Sequence, residues 1–163
     1  MRPIARSLAS AALACLGLSA LVIVPALAQA DSQVGVWKLN TAKSKYSPGP
    51  VPTTATTTIE AAGTGTKVSV DQTLPDGSKR QYSFTASYDG KDVPIVGNNP
   101  DADTVARTRV NASTVRTVSK KDGKVTTTQT STVSSDGKTR TVTTTGVNGK
   151  GQKVNNVAVY ERQ

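Results

Sequence analysis

From residue 53 onward the chain is built of short runs in which apolar and polar side chains alternate. Val68, Val70 and Leu74 alternate with Lys67, Ser69, Asp71 and Thr73, and Tyr82, Phe84, Ala86 and Tyr88 alternate with Gln81, Ser83, Thr85 and Ser87. A period of two sends successive side chains to opposite faces, so these runs predict half-buried β-strands. Other runs, such as VTTTQTSTV and TRTVTTTGV, are rich in β-branched residues, which lose χ1 freedom in a helix and pack well on a pleated surface. Turn signals separate them: PDG at 75–77, YDG at 88–90, KDG at 121–123, SDG at 135–137 and VNG at 147–149. Asp-Gly and Asn-Gly pairs accept the positive φ of tight hairpin turns. The pattern predicts about nine strands, near 34–40, 54–61, 66–74, 79–88, 104–110, 114–120, 124–133, 139–146 and 154–161. No segment after Asp31 has the apolar spacing of a packed helix face.

Sequential hairpins in an open sheet leave two unpaired edges, and curling until the first and last strands meet removes them. The expected fold is therefore all-β, a single antiparallel up-and-down barrel of about 8 to 10 strands. An immunoglobulin-like sandwich is disfavoured, because its Greek-key connections are longer than these tight turns.

Ahead of the strands lies MRPIARSLASAALACLGLSALVIVPALAQA, with Arg2 and Arg6, an apolar run and a small-residue exit. This has the form of a secretory signal peptide over residues 1–30, leaving 31–163 as one barrel domain, exported to the periplasm or secreted. Pro25 and the small residues that follow argue against a retained membrane anchor. Cys15, the single cysteine, sits inside the apolar run and not at its end, so it reads as a small hydrophobe and not as an acylation site. Beyond residue 30 no disulfide or thiolate site can form.

The whole chain carries 20 basic and 11 acidic residues; without Arg2 and Arg6 the balance is 18 to 11, a net charge of +7. Those charges are scattered and few aromatics lie among them, so nucleic-acid binding is not expected, whereas attraction to an anionic envelope surface is.

Two short segments carry a family resemblance. GVWKL resembles the G-x-W opening of the calycin superfamily, the lipocalins and fatty-acid-binding proteins, and VNNVAVYER resembles the last strand of the latter, as KKDGKVTTT resembles one of their hairpins. The chain is also similar to small exported bacterial proteins with a lipocalin-like domain. The resemblance implies a barrel whose closed end is covered by Trp37, with Gly35 beside it and Arg162 stacked on the indole. It also implies a small apolar or amphipathic ligand. The family's carboxylate clamp is not reproduced: Ala158 stands where its arginine precedes the tyrosine matched by Tyr160, and Thr-Thr-Thr-Gln-Thr-Ser follows KKDGK where the second arginine belongs. Nor can the family's helical lid fit into NTAKSKYSPGP, where Pro48, Pro50 and Pro52 enforce an extended connector.

Catalysis is not expected, since the chain has no histidine and residues 31–163 no cysteine. Most aspartates fall in turns, where they bond their own backbone. GNNPDADT is rich in oxygen ligands but lacks the glycine and distal glutamate of a calcium loop, so neither metal nor cofactor is expected. The candidate ligand-lining residues are Tyr82, Phe84, Tyr88, Arg107, Arg109 and Tyr160. In TVARTRV, Val105, Arg107 and Arg109 share one face; the cost of burying an unpaired guanidinium favours solvent for it, and an inward arginine would call for an acidic ligand. The rival to a ligand-binding barrel is a structural or interaction module of the envelope with a closed interior.

Overall fold

A computed structural model describes residues 31–163; the expected leader over 1–30 lies outside the described residues. The strands are β1 (Gly35–Leu39), β2 (Thr54–Ala62), β3 (Gly65–Thr73), β4 (Lys79–Ser87), β5 (Asp89–Pro94), β6 (Val96–Gly97), β7 (Thr104–Arg109), β8 (Thr114–Lys121), β9 (Lys124–Val133), β10 (Thr139–Val147) and β11 (Lys153–Arg162). A three-residue 3-10 turn, Thr41–Lys43, is the single helical element among the described residues, capped by the Asn40 side chain. All the strands belong to one antiparallel sheet in the order β5-β7-β8-β9-β10-β11-β1-β2-β3-β4-β6.

The first and last long strands pair, Trp37 opposite Arg162 and Leu39 opposite Tyr160, which is the closure expected from the sequence. Alternation then sends Trp37 and Leu39 inward with Ile59, Val68, Val133, Val142, Ala158 and Tyr160, and these form the apolar core.

Eleven strands stand where about nine were expected, and the two additional ones, β5 and β6, are the outermost strands of the sheet, which is left nearly closed. One continuous stretch touches both of its edges: Val93 and Pro94 pair with Val105 and Thr104 of β7, and Val96 and Gly97 pair with Ser83 and Tyr82 of β4. Gly97 permits that crossing, since its φ is +106° and a Cβ there would lie 2.4 Å from the Gln81 carbonyl oxygen. Pro94, which lacks a ladder N–H, is tolerated because the stretch is a sheet edge.

Candidate ligand cavity

The closed end is built first by the chain. Residues 31–34 cross the barrel beneath β1, and Gln33 is fully buried there. Its Nε2 donates to the Ser113 carbonyl at 2.9 Å, its Oε1 accepts from Ser131 Oγ at 2.8 Å, and its backbone carbonyl accepts from Trp37 Nε1 at 2.9 Å. Trp37 is fully buried, with the Arg162 guanidinium 4.2 Å from its ring. Arg162 Nε donates to Gly137 O at 2.6 Å, Nη1 to Val34 O at 2.6 Å and Nη2 to Ser32 O at 2.9 Å. Gly35, Trp37 and Arg162 are thus brought together as a single plug at this end of the barrel.

Above the plug lies a cavity of about 180 Å³. Val68, Val70, Phe84, Val105 and Val142 give it apolar walls, and Thr117, Ser119 and Thr127 give it hydroxyls. At the opposite end of the barrel Arg80 Nη1 donates to Asp101 Oδ2 at 2.8 Å, and Asp101 Oδ1 accepts from the Gly149 N–H at 2.9 Å. The aspartate in GNNPDADT that faces the cavity is therefore occupied, holding the 98–103 loop to the β10–β11 turn. Among the described residues no group of three or more His, Cys, Asp or Glu could hold a metal.

The arginine face of β7 is inward, which corrects the expectation that it meets solvent. Val105 and Arg107 are each 2% exposed. Val105 belongs with the apolar wall, and strand alternation carries Arg107 to the same side with it. The Arg107 guanidinium bonds Thr66 Oγ1 through Nη1 and lies 5.1 Å from the Tyr88 ring centre, but its Nε has no partner. Burial pushes its pKa below the ordinary guanidinium value.

Arg109 has a different role. It lies 3.9 Å over Tyr88 and pairs with Asp31 at 2.6 Å, and Tyr88 OH donates to the same carboxylate oxygen at 2.5 Å. Burial opposes the Asp31 charge, yet the bonds from Tyr88 and Arg109 outweigh it and hold the carboxyl below its usual range. Of the six sequence candidates, Tyr82, Phe84, Arg107 and Tyr160 line the cavity; Tyr88 and Arg109 do not, and sit at its closed end with Asp31.

Arg140, which was not among the candidates, also lines the cavity and is 7% exposed. Its Nε donates to Ser131 Oγ at 2.7 Å, and its guanidinium lies 5.5 Å from the Tyr160 ring centre. Burial, reinforced by the like charge of Arg107, brings its pKa down to about 10. The signal for it was present, since Arg140 shares a strand face with Val142. Burial also pushes Tyr82 up to about 12, and raises Tyr46 further, so both phenols stay protonated donors.

The chain is thus an all-β, meandering antiparallel barrel with an indole plugged beneath an arginine. No family model matches the chain, and no curated protein matches it. Among solved structures, zebrafish ileal bile acid-binding protein complexed with cholic acid aligns with 81% of this chain and 99% of that chain, at 16% identity and a TM-score of 0.48.

Proposed function

We propose that the protein is an exported, non-catalytic binder of a small amphipathic molecule bearing an acidic group, which it holds inside the barrel. Arg107 carries this reading: a guanidinium 2% exposed, facing the cavity, with an unpartnered Nε and no carboxylate bonded to it. A protein does not keep a charge from water without a compensating partner at no cost, and an acidic ligand supplies that partner. Export rests on the leader-like residues 1–30, and the basic surface suits an anionic envelope. The lack of a catalytic role rests on a histidine-free chain whose lumenal hydroxyls have no imidazole or thiolate beside them.

One observation favours the rival, an envelope module without a ligand: at about 180 Å³ the cavity is below the roughly 300 Å³ at which small-molecule pockets usually begin. Solvent extraction of the purified protein followed by mass spectrometry separates the two. A stoichiometric acidic amphiphile supports binding. An empty protein that also ignores a labelled fatty acid supports the module. Arg107→Ala is expected to abolish labelled fatty-acid binding while Arg109→Ala retains it, because Arg109 lies outside the cavity wall.

A further inference from the structure

We infer that the ligand's acidic group is a dianionic oxyanion of the phosphate-monoester kind, held between the guanidinium groups of Arg107 and Arg140. The inference rests on the ligand-binding reading above and specifies the head group that reading leaves open.

Charge balance carries it. Four charged side chains line the cavity: Arg80, Asp101, Arg107 and Arg140. Arg80 and Asp101 are bonded to each other at 2.8 Å and cancel. Just beyond the wall, Arg109 and Asp31 pair at 2.6 Å and cancel as well. Two positive charges are left, both buried and facing one cavity. A monocarboxylate would neutralise one of them and leave the other unmatched, whereas a phosphate monoester, with its second pKa of about 6, brings close to two negative charges at neutral pH.

Donor chemistry points the same way. A guanidinium has five N–H donors in a fixed fork. Arg107 is held by the Thr66 hydroxyl and Arg140 by the Ser131 hydroxyl, each with an aromatic ring at its side, so donors on both forks are left for a ligand. Arginine forks match phosphate oxygens in pairs. The Tyr82 phenol, kept protonated by burial, adds a neutral donor to the same cavity. Asp101, the one carboxylate of the wall, is tied up at the far end, so no anion opposes the ligand near the two arginines.

Calorimetric titration of the purified protein with four probes tests this: decyl phosphate, decyl sulfate, decanoate and inorganic phosphate. Decyl sulfate has the same tetrahedral head but stays a monoanion, so it isolates the second charge. At about pH 8, decyl phosphate is expected to bind about tenfold or more tightly than decyl sulfate. That advantage should shrink toward pH 5, as phosphate takes up its second proton and sulfate does not. Arg107→Met and Arg140→Met should each bring decyl phosphate to the sulfate level, with folded melts confirming that the barrel survives. Inorganic phosphate as tight as decyl phosphate identifies a free phosphate as the ligand, and much weaker inorganic phosphate identifies a phosphorylated amphiphile; both support the dianion. Equal binding of decyl phosphate and decyl sulfate at about pH 8 overturns it and leaves the acidic-ligand reading standing. If none of the four binds, both are overturned.

Discussion

Four arginines of this barrel lie against aromatic rings, and two of them, Arg162 at the closed end and Arg107 in the lumen, have surroundings that differ in kind. Arg162 covers Trp37 from the water side and gives its N–H groups to three backbone carbonyls, of Gly137, Val34 and Ser32. Arg107 lies beside Tyr88, is 2% exposed, has a hydroxyl for a partner and leaves Nε bare. The first keeps its hydration while its donors are used, which is how a charge contributes to a fold. The second has lost its hydration and regained one hydrogen bond, to the Thr66 hydroxyl, with Nε left bare, which costs stability that packing alone gives no reason to spend. On the proposed reading the closed end is architecture and the lumenal arginines serve a ligand, so the two sets should respond oppositely to substitution.

The largest effect is expected at the indole. Trp37→Ala removes the biggest fully buried side chain and leaves Gln33 O without its donor. A loss of about 3 to 5 kcal/mol follows for a buried aromatic truncation. That is a large part of the roughly 5 to 15 kcal/mol a domain has, so thermal melts should show a strongly destabilised or insoluble protein. A variant that melts like the parent but loses ligand would move Trp37 from the plug to the pocket.

Gly35→Ala attacks the same end through the backbone. Gly35 has φ +142°, and a Cβ would fall 2.3 Å from Arg162 Nη1, so the substitution strains the chain and expels the guanidinium together. About 2 to 3 kcal/mol is expected, from strain plus lost carbonyl bonds, read by denaturant unfolding. Arg162→Ala should be milder than Trp37→Ala. Its loss nonetheless includes three hydrogen bonds besides the stacking contact that the sequence suggested.

In the lumen the sign reverses. Arg107→Met and Arg140→Met keep an apolar stem and remove a buried charge without a carboxylate partner, so each is expected to stabilise the ligand-free protein by about 1 to 3 kcal/mol. The same variants should lose the acidic ligand. Substitutions here that destabilise as much as those at Gly35 would remove the distinction between the two sets.

The closed end was legible from sequence because its parts are rare residues at fixed places, an opening Gly-x-Trp and a closing arginine, and the hairpins because Asp-Gly pairs mark them. The stretch that forms the two outermost strands was not. DGKDVPIVG contains two glycines and a proline, which read as a loop, and only its position between two sheet edges makes it β5 and β6. Arg140 escaped for another reason: in TRTVTTTGV threonine occupies both faces, so the inward one carries little apolar signature beyond Val142. Tyr88 was assigned to the correct face but lies too far along it, past the cavity and against Asp31. Alternation gives a side chain's face without its height in the barrel, and the cost of burial that argued against an inward Arg107 is one that the proposed acidic ligand would offset.

The smallest effect should come from Asp31, and it sharpens the comparison because Asp31 compensates Arg109 and not Arg107. The Tyr88 and Arg109 bonds hold its carboxyl below the usual range despite burial. A carboxyl whose folded pKa is depressed adds stability that is complete above its ordinary value, near 3.8, and is lost as pH falls through the lower folded value. Asp31→Asn should therefore melt slightly below the parent at neutral pH, by about 1 kcal/mol. The gap should close only in strong acid, below the ordinary carboxylate range. Ligand binding should persist, since neither Asp31 nor Arg109 lines the cavity. Melts of parent and variant between about pH 2 and pH 7 give the answer: a gap that stays constant to the acid limit means the carboxylate charge does not hold this corner, and a variant that loses the ligand means that Asp31 positions Arg107 through Tyr88 and that the two ends of the barrel are one site.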